Sequence, residues 1–354
     1  MTKTKKKMSK QTRSNIITYG IVILAYIIVQ TMINSGSISS LMEGLMVPLC
    51  IYAILAVSLN LVVGILGELS LGHAGFMCVG AFASAFFSKC MRGEMESDGL
   101  RFFLALLIGV AAAAVFGLLI GIPVLRLKGD YLAIVTLAFG EIIKNLVNVL
   151  YIGKDSSGFH ISTQDVMTLD ADGTMIISGP QGITGTPRDA TFLIGIILVL
   201  ITLFIVTNLT NSRSGRAIMS IRDNRIAAES IGINVTKYKL MAFTVSAALA
   251  GSAGVLYAHN LSTLTATTNN FGYNQSIMIL VFVVLGGIGN IRGSVIAAVI
   301  LTLLPELLRG LSDYRMLIYA IVLIVMMLFN WAPKAIEWRE KYLSFGRKKK
   351  EAVK

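Results

Sequence analysis

The stretch FFLALLIGVAAAAVFGLLIGIPVL, residues 102–125, contains no charged residue and decides the fold class. As a helix rising about 1.5 Å per residue, it would be about 36 Å long, enough to cross the ~30 Å hydrocarbon core of a bilayer. Within that core only helices and closed barrels pair every backbone polar group. The run is too long and too continuous for the alternating strands of a barrel, so it predicts a membrane-spanning helix.

The rest of the chain repeats this pattern. The sequence is 55% hydrophobic and only 14% charged, whereas soluble domains carry roughly 25% charged residues. The apolar runs predict an all-α, polytopic integral membrane protein of about ten transmembrane helices. The eighth and ninth apolar runs are short, so residues 275–308 could hold two crossings or one interrupted helix. The predicted spans are 16–33, 45–66, 71–88, 102–125, 131–151, 191–209, 240–258, 275–287, 294–308 and 316–332.

The distribution of charge predicts an orientation. Residues 1–15 form a basic tail without acidic groups, and residues 333–354 form a second, mostly basic tail. Because basic segments stay on the cytoplasmic side, both termini are predicted to be cytoplasmic, and two cytoplasmic ends require an even number of crossings. The transmembrane domain is then residues 16–332, with an acidic outer loop at 152–190 and a basic cytoplasmic loop at 210–239. The net charge of +12 is explained by these orientation signals, and no nucleic acid partner is predicted.

The sequence contains no pattern typical of an enzyme. It has no P-loop, no pairing of a nucleophile with a base and no metal-ligand spacing among its cysteines and histidines. We therefore predict no catalytic residue, no metal site and no cofactor bound by this chain. The residues considered were Cys50, Cys78, Cys90, His73, His160 and His259.

The cytoplasmic loop carries an amphipathic pattern. Within residues 215–231, isoleucines and arginines recur at three- and four-residue spacing, which predicts one helix, and Gly232 is well placed as its C-terminal stop. Such a helix could dock into a groove on a partner protein. It could equally lie on the membrane surface as part of a positively charged loop.

Several blocks of sequence resemble a known family. Ile226-Ala227-Ala228-x-x-x-Gly232 resembles the EAA loop with which ABC importer permeases dock on their ATPase subunits, although isoleucine replaces the usual glutamate and the trailing I-x-L-P is absent. Further blocks are LSLGHAGF (69–76), RLKGDYLAIVTLAFGEI (126–142), GRA (215–217), IRDN (221–224) and GGIG (286–289). Together these blocks, which lie between about Leu59 and Leu304, resemble the LivM-type permeases of branched-chain amino-acid importers.

The resemblance implies an ABC importer permease fold and a set of partners. These are a homologous second permease subunit in a heterodimer, two ABC ATPase subunits at the cytoplasmic face that bind ATP and Mg, and an extracytoplasmic substrate-binding protein. The implied activity is import of leucine, isoleucine and valine by alternating access across a bacterial or archaeal cell membrane. Two alternatives remain open. The cargo could be urea, a short amide or another amino acid, or the chain could be a stand-alone ion-coupled secondary transporter with Glu141 and His73 as proton-relay residues.

Two groups of residues are the candidate functional sites. The resemblance assigns coupling to the ATPases to Arg216, Arg222, Arg225, Ala227, Ala228, Glu229 and Gly232. Ionisable and polar groups inside apolar helices usually face a cavity or a partner group. They therefore predict a translocation pathway, or alternatively an ion pair and helix–helix hydrogen bonds within the bundle. These pathway candidates are Asn60, Ser70, His73, Glu141, Lys144 and Asn145.

Overall fold

The computed structural model of the protein describes residues 10–36, 39–95, 97–127, 129–155, 158–164, 173–308 and 314–331. The two predicted cytoplasmic tails lie outside these residues, apart from the start of the first helix. Contacts divide the chain into two compact units, residues 1–299 and residues 300–354. The first unit contains all the candidate site residues.

Helices dominate the described residues. They are α1 (Lys10–Asn34), α2 (Ser40–Gly44), α3 (Met46–Asn60), a π-helical turn (Leu61–Leu66, the π turn), α4 (His73–Cys90), α5 (Asp98–Val124), α6 (Asp130–Val149), α7 (Phe192–Asn211), α8 (Arg213–Asp223), α9 (Arg225–Ser230), α10 (Val235–Asn260), α11 (Thr268–Phe271), α12 (Tyr273–Gly286), α13 (Ile291–Leu307) and α14 (Arg315–Trp331). Each of the ten predicted spans coincides with one of these helices, the second with α3 and the π turn together.

Five helical segments among the described residues are long and apolar enough to cross a membrane, and Thr18–Asn34 is a shorter apolar helix. The five are Ser40–Leu66, Asp98–Val124, Tyr131–Val149, Phe192–Asn211 and Val235–Asn260. The chain is therefore a largely helical, polytopic protein. The count of ten crossings and the sidedness of the termini stay predictions.

The centre of the first unit is α10, which packs against α3, α4 and α5. Small residues allow this close packing, since a Cβ at Gly80 of α4 would lie 2.5 Å from the Cα of Gly251 of α10. A Cβ at Gly254 would likewise overlap the carbonyl oxygen of Met77. Lipid gives helices no hydrophobic drive to associate, so such close van der Waals contact is a main source of their attraction.

The outer helices present apolar side chains to their surroundings. In Ser40–Leu66, 89% of the most apolar stretch is buried, whereas in Asp98–Val124 only 22% is. Large side chains such as Leu119 of α5 and Phe204 of α7 are each 60% exposed. In the second unit, α14 exposes an apolar row at three- and four-residue spacing, namely Leu317, Ile321, Ile324 and Leu328. Apolar surface of this extent is suited to lipid or to another membrane subunit.

The short pair of predicted spans forms two helices that meet at a glycine turn, and we call this junction the hairpin. Gly287 and Gly289 both adopt positive φ, at 92° and 81°, between α12 and α13. A Cβ at Gly293 would overlap the carbonyl oxygen of Gly286, although a seven-residue separation along a continuous helix spans about 10 Å. The continuous helix is therefore broken at residues 287–290, and α12 and α13 meet at this turn.

The predicted outer loop contains strands, which corrects the expectation of an entirely helical chain. β1 (Tyr151–Asp155) pairs antiparallel with β2 (Gly158–Ser162) and with β3 (Thr174–Ser178) in the order β2-β1-β3. A second small sheet joins β4 (Ile183–Thr184) to β5 (Thr263–Leu264). We call this region the sheet end. Its short, charge-interrupted segments lack the long apolar runs on which the sequence prediction rested.

Side chains from the helices fix the sheet end to the bundle. The Lys89 ammonium at the end of α4 donates to the carbonyl oxygens of Met175 and Ile176, at 2.6 and 3.2 Å. The buried Arg101 at the start of α5 pairs with Asp189 at 2.9 Å. From there α10, about 39 Å long by its residue count, leads to α8 and α9 at the opposite end of the bundle.

Gly80→Ala tests the close packing of α4 on α10. The added methyl group would meet backbone atoms of Gly251, so we expect a loss of about 1–3 kcal/mol, as for other overpacked sites. Thermal unfolding of the detergent-purified protein measures the effect. The control is Gly99→Ala in α5, where a Cβ has open space. It should match or slightly exceed the wild-type midpoint, because alanine favours helix over glycine. An unchanged midpoint for Gly80→Ala would contradict the close approach.

Candidate functional site

The predicted single helix over residues 215–231 is wrong: the structure forms two helices, α8 and α9, which meet at Asn224. The backbone of Asn224 is extended, with φ −157° and ψ 104°. Its side-chain oxygen accepts a hydrogen bond from the backbone N–H of Ala227 at 3.0 Å, so it is the N-cap of α9. Asparagine is a preferred N-cap because this bond satisfies a donor that the helix leaves open.

Gly232 ends α9 as predicted. It adopts a φ of +85°, and its N–H donates to the carbonyl of Glu229 at 3.0 Å while Ile233 N–H donates to Ala228 at 3.1 Å. These two bonds define a Schellman motif, which requires a left-handed residue at the position of Gly232. Ala228, Ile221 and Ile233 form a small apolar cluster beneath the motif.

Two large apolar side chains of the α9 segment are exposed. Ile226 is 80% exposed and Ile231 is 74% exposed, although both belong to a charged segment. Next to them, Arg225 and Glu229 form an ion pair at 3.0 Å. Of the seven predicted coupling residues, Ala227 is exposed and lies on this helix, while Ala228 is buried below it. We call Arg225–Gly232 the α9 surface.

Two predicted coupling arginines form hydrogen bonds within the chain, although both are exposed. Arg216 donates to the carbonyl oxygen of Asn211 at 3.3 Å. Arg222 contacts Asp223 at 2.9 Å and donates from Nη1 to the carbonyl oxygen of Gly64 in the π turn at 3.0 Å. Arg222 therefore links α8 to the membrane helices, a role that the sequence analysis did not identify.

A buried ion pair lies next to this link and was missed by the sequence analysis. Lys239, in the first turns of α10, pairs with Glu68, which directly follows the π turn. The side chains are only 4% and 16% exposed. The sequence does show two ionisable residues that border apolar runs, which could have marked them as candidates. Nothing in the sequence shows that positions so far apart come into contact. Removing either partner would leave an uncompensated charge, which is strongly destabilising.

The predicted pathway residue Asn60 is fully buried at the end of α3. Its Oδ1 accepts from the backbone N–H of Gly289 at 2.9 Å, and its Nδ2 donates to Ser294 Oγ at 2.9 Å. Asn60 therefore holds the hairpin between α12 and α13 against the π turn. A Cβ at Gly64 would overlap both Asn60 and Gly289, so this approach requires glycine.

The break between the π turn and α4 is bonded by side chains. Leu71 N–H donates to Thr136 Oγ1 of α6 at 3.0 Å, and Ala74 N–H donates to Ser276 Oγ of α12 at 3.2 Å. His73 Nε2 lies 2.6 Å from Ser58 Oγ. Thus the amide groups at the start of α4 bond to neighbouring helices. Helix–helix hydrogen bonding of this kind is the alternative that the sequence analysis left open beside a pathway role.

Ser70 differs from its neighbours. Its side chain is 1% exposed, and its hydroxyl has no hydrogen-bond partner within the part of the chain that the structure describes. Buried polar atoms of this kind are uncommon in native proteins. Ser70 therefore remains a candidate for contact with a translocated ligand.

Glu141 and Lys144 of α6 form an ion pair. Glu141 also accepts from the backbone N–H of Tyr273 at 2.8 Å, and Lys144 donates to Thr268 at 3.1 Å. The pair thus attaches α6 to the segment before α12, in addition to any role in the pathway. Asn145, the sixth candidate, is exposed, unlike the buried Lys144 beside it.

These features define a class: a largely helical protein with several membrane-capable helices, two helix breaks bonded by buried polar side chains, and a charged segment between apolar helices that exposes isoleucines. Interrupted helices of this kind are common in membrane transporters. Comparison with known families agrees. The family described as "Branched-chain amino acid transport system / permease component" matches residues 41–329. The chain belongs to this family.

Individual relatives have the same character. The high-affinity branched-chain amino acid transport system permease proteins LivM of Salmonella typhimurium and Escherichia coli are each 36% identical to the chain over 297 residues, covering 81% of this chain and 67% of theirs. The fructose import permease protein FruG of Bifidobacterium longum is 24% identical over 254 residues, 69% of this chain and 71% of that protein. These relatives are transport permeases, not enzymes. No solved structure matches the chain.

The double variant Glu141→Gln/Lys144→Met tests the structural role of the α6 ion pair. Lys144→Met alone leaves a partly buried carboxylate without its cation, and Glu141→Gln alone leaves a buried ammonium without its anion. We expect each single variant to lose about 1–3 kcal/mol and the double variant to recover most of it. Glutamine can still accept from Tyr273 N–H, so that bond is kept.

Thermal unfolding of the purified single and double variants measures this coupling. Additive losses in the double variant would contradict the pairing. Uptake by cells carrying the double variant then separates the two roles: normal uptake with recovered stability assigns the pair to structure, and lost uptake with recovered stability assigns it to the pathway.

Proposed function

We propose that this chain is the membrane-spanning permease subunit of an ATP-driven importer for the branched-chain amino acids leucine, isoleucine and valine. The family membership and the names of the LivM relatives support the cargo and the importer class. The structural observation that carries the proposal is the α9 surface. It exposes apolar side chains on a charged segment and is attached to the membrane helices through Arg222.

The α9 surface fits an ATPase subunit. A short helix with exposed isoleucines suits insertion into a groove of a partner, and the flanking charges favour one orientation. The chain has no P-loop of its own, so ATP and Mg would be bound by two such partners at the cytoplasmic face. In this proposal the segment 210–239 and both termini are cytoplasmic, and the sheet end is extracytoplasmic.

Two further surfaces, the apolar faces of the outer helices and the sheet end, fit the other proposed partners. The exposed apolar faces of α5, α6 and α7 have the chemistry to pack against lipid and against a homologous second permease, with which the chain would form a heterodimer. An extracytoplasmic binding protein would deliver the amino acid at the sheet end. Alternating access would then expose the pathway between the two permeases first outward and then to the cytoplasm of a bacterial or archaeal cell.

The contacts of two residues speak against the alternative of a stand-alone ion-coupled transporter. Its candidate proton-relay residues are Glu141 and His73. Glu141 already bonds to Lys144 and Tyr273, and His73 bonds to Ser58. Urea or a short amide as cargo remains a variant of the same importer proposal. A substrate measurement separates these cargoes.

Ile226→Asp tests docking. A carboxylate in an apolar groove is costly, so we expect recovery of the ATPase subunits with the tagged chain, purified in mild detergent from its native membrane, to fall by about tenfold or more. Ile161→Asp is the matched control, because Ile161 is 70% exposed on β2 at the other end of the bundle, and it should keep the ATPase recovery. Wild-type chain recovered without any P-loop ATPase would overturn the importer proposal.

Competition for uptake tests the cargo. In cells that depend on this transporter, we expect unlabelled isoleucine and valine to reduce uptake of labelled leucine, with urea, ribose and fructose without effect. Uptake should stop when ATP is depleted and persist when the ion gradients alone are collapsed. Inhibition by urea, or uptake that follows the ion gradient, would support one of the alternatives instead.

A further inference from the structure

The π turn (Leu61–Leu66) is contacted by two other parts of the chain. Arg222 of α8 donates to the carbonyl oxygen of Gly64 at 3.0 Å. The aliphatic part of Arg222 covers Gly67, where a Cβ would overlap the arginine Cγ. The Glu68–Lys239 ion pair adds a second attachment immediately after the turn. The segment that bears the α9 surface is therefore bonded directly to a helix inside the bundle.

The same region of the chain also contacts the α12–α13 hairpin. Asn60, in the last position of α3, accepts from Gly289 N–H and donates to Ser294 Oγ. Gly64 lies against Gly289, so that the backbone of the π turn and the backbone of the hairpin are in contact. One short segment, residues 60–64, thus bonds both to α8 and to the hairpin.

We propose that the π turn transmits movement of the docking helices α8 and α9 to the α12–α13 hairpin, with Arg222 and Asn60 as its two positioning residues. This inference rests on the proposed function, since it assumes that an ATPase moves the α9 surface. It adds the route by which that movement enters the membrane region and names the hairpin as the element that responds.

The local structure suits such a task. π-helical turns are rare and occur frequently at functional sites. The hairpin turn is packed against the π turn on one side, while a cavity of about 300 Å³ adjoins it elsewhere, lined in part by Gly289, Asn290 and Thr207. Asn60 therefore bonds the hairpin to the end of α3, and the hairpin has space beside it.

Movement of the hairpin would reach the candidate pathway residues. The first turn of α12 is bonded at Tyr273 N–H by Glu141 and at Ser276 by Ala74 N–H. Those partners belong to α6 and α4, and Ala74 follows Ser70 by four residues. A displacement of α12 would thus act on the segment that carries Ser70, whose buried hydroxyl has no hydrogen-bond partner among the described residues.

The experiment uses the complete transporter, recovered with its partner subunits and reconstituted in vesicles with the binding protein and labelled leucine. Asn60→Leu removes both bonds to the hairpin and keeps a similar volume. We expect normal subunit recovery and continued ATP hydrolysis. The number of ATP molecules hydrolysed per leucine imported should rise at least about tenfold, because the loss of two hydrogen bonds shifts a two-state equilibrium by about that factor.

Arg222→Ala provides an independent test at the other side of the turn. Its side chain is 39% exposed, so the variant should fold even if Asn60→Leu does not. We expect the same rise in ATP hydrolysed per leucine. Ser84→Ala is the control, since Ser84 is also buried and, among the described residues, its hydroxyl bonds to Ala81 of its own helix. It should keep the wild-type ratio.

The outcomes separate this inference from the proposed function. If the wild-type complex couples hydrolysis to uptake and either folded variant keeps the wild-type ratio with normal subunit recovery, the π-turn route is wrong and the importer proposal stands. The same holds if Ser84→Ala uncouples as strongly, since any buried polar change would then suffice. If the wild-type chain neither recovers ATPases nor imports leucine in an ATP-dependent manner, the proposed function itself fails.

Discussion

The structure depends on one constraint: inside an apolar bundle, every backbone N–H and C=O group must find a partner within the protein. Continuous helices meet this requirement alone, but two interruptions do not. At the first, between the π turn and α4, Thr136 and Ser276 accept the free amide groups. At the second, between α12 and α13, Asn60 accepts from Gly289. Several of the buried polar side chains therefore lie where the helices break.

The same constraint explains why glycine recurs at these places. Side-chain partners satisfy a broken backbone only when the helices approach closely, and a Cβ at Gly64 would overlap both Asn60 and Gly289. Gly80 and Gly251 allow a similar approach between α4 and α10. Close packing and polar satisfaction thus supplement each other, since the apolar surroundings provide little hydrophobic drive between helices.

The two ends of the bundle have different construction. At the sheet end, basic side chains such as Lys89 and Arg101 bond strands and loops to the helix ends. At the opposite end, α8 and α9 are attached through Arg222 and Lys239, yet leave Ile226 and Ile231 exposed. α10 connects both ends as one continuous helix. This asymmetry is consistent with a protein that contacts different partners on the two sides of a membrane.

The sequence by itself determined the positions of the apolar helices, the C-terminal stop at Gly232 and the family. These follow from local properties: run length, residue periodicity and the left-handed conformation that glycine adopts readily. The break at Asn224 is also local, an N-cap bond to Ala227 that the sequence analysis missed. Only the tertiary structure decided the strands of residues 151–184 and the Glu68–Lys239 pair. It also decided the role of Asn60, whose partner Gly289 lies 229 positions away. Such contacts depend on how helices pack, and no local pattern in a single sequence records which distant backbone group will need a given side chain.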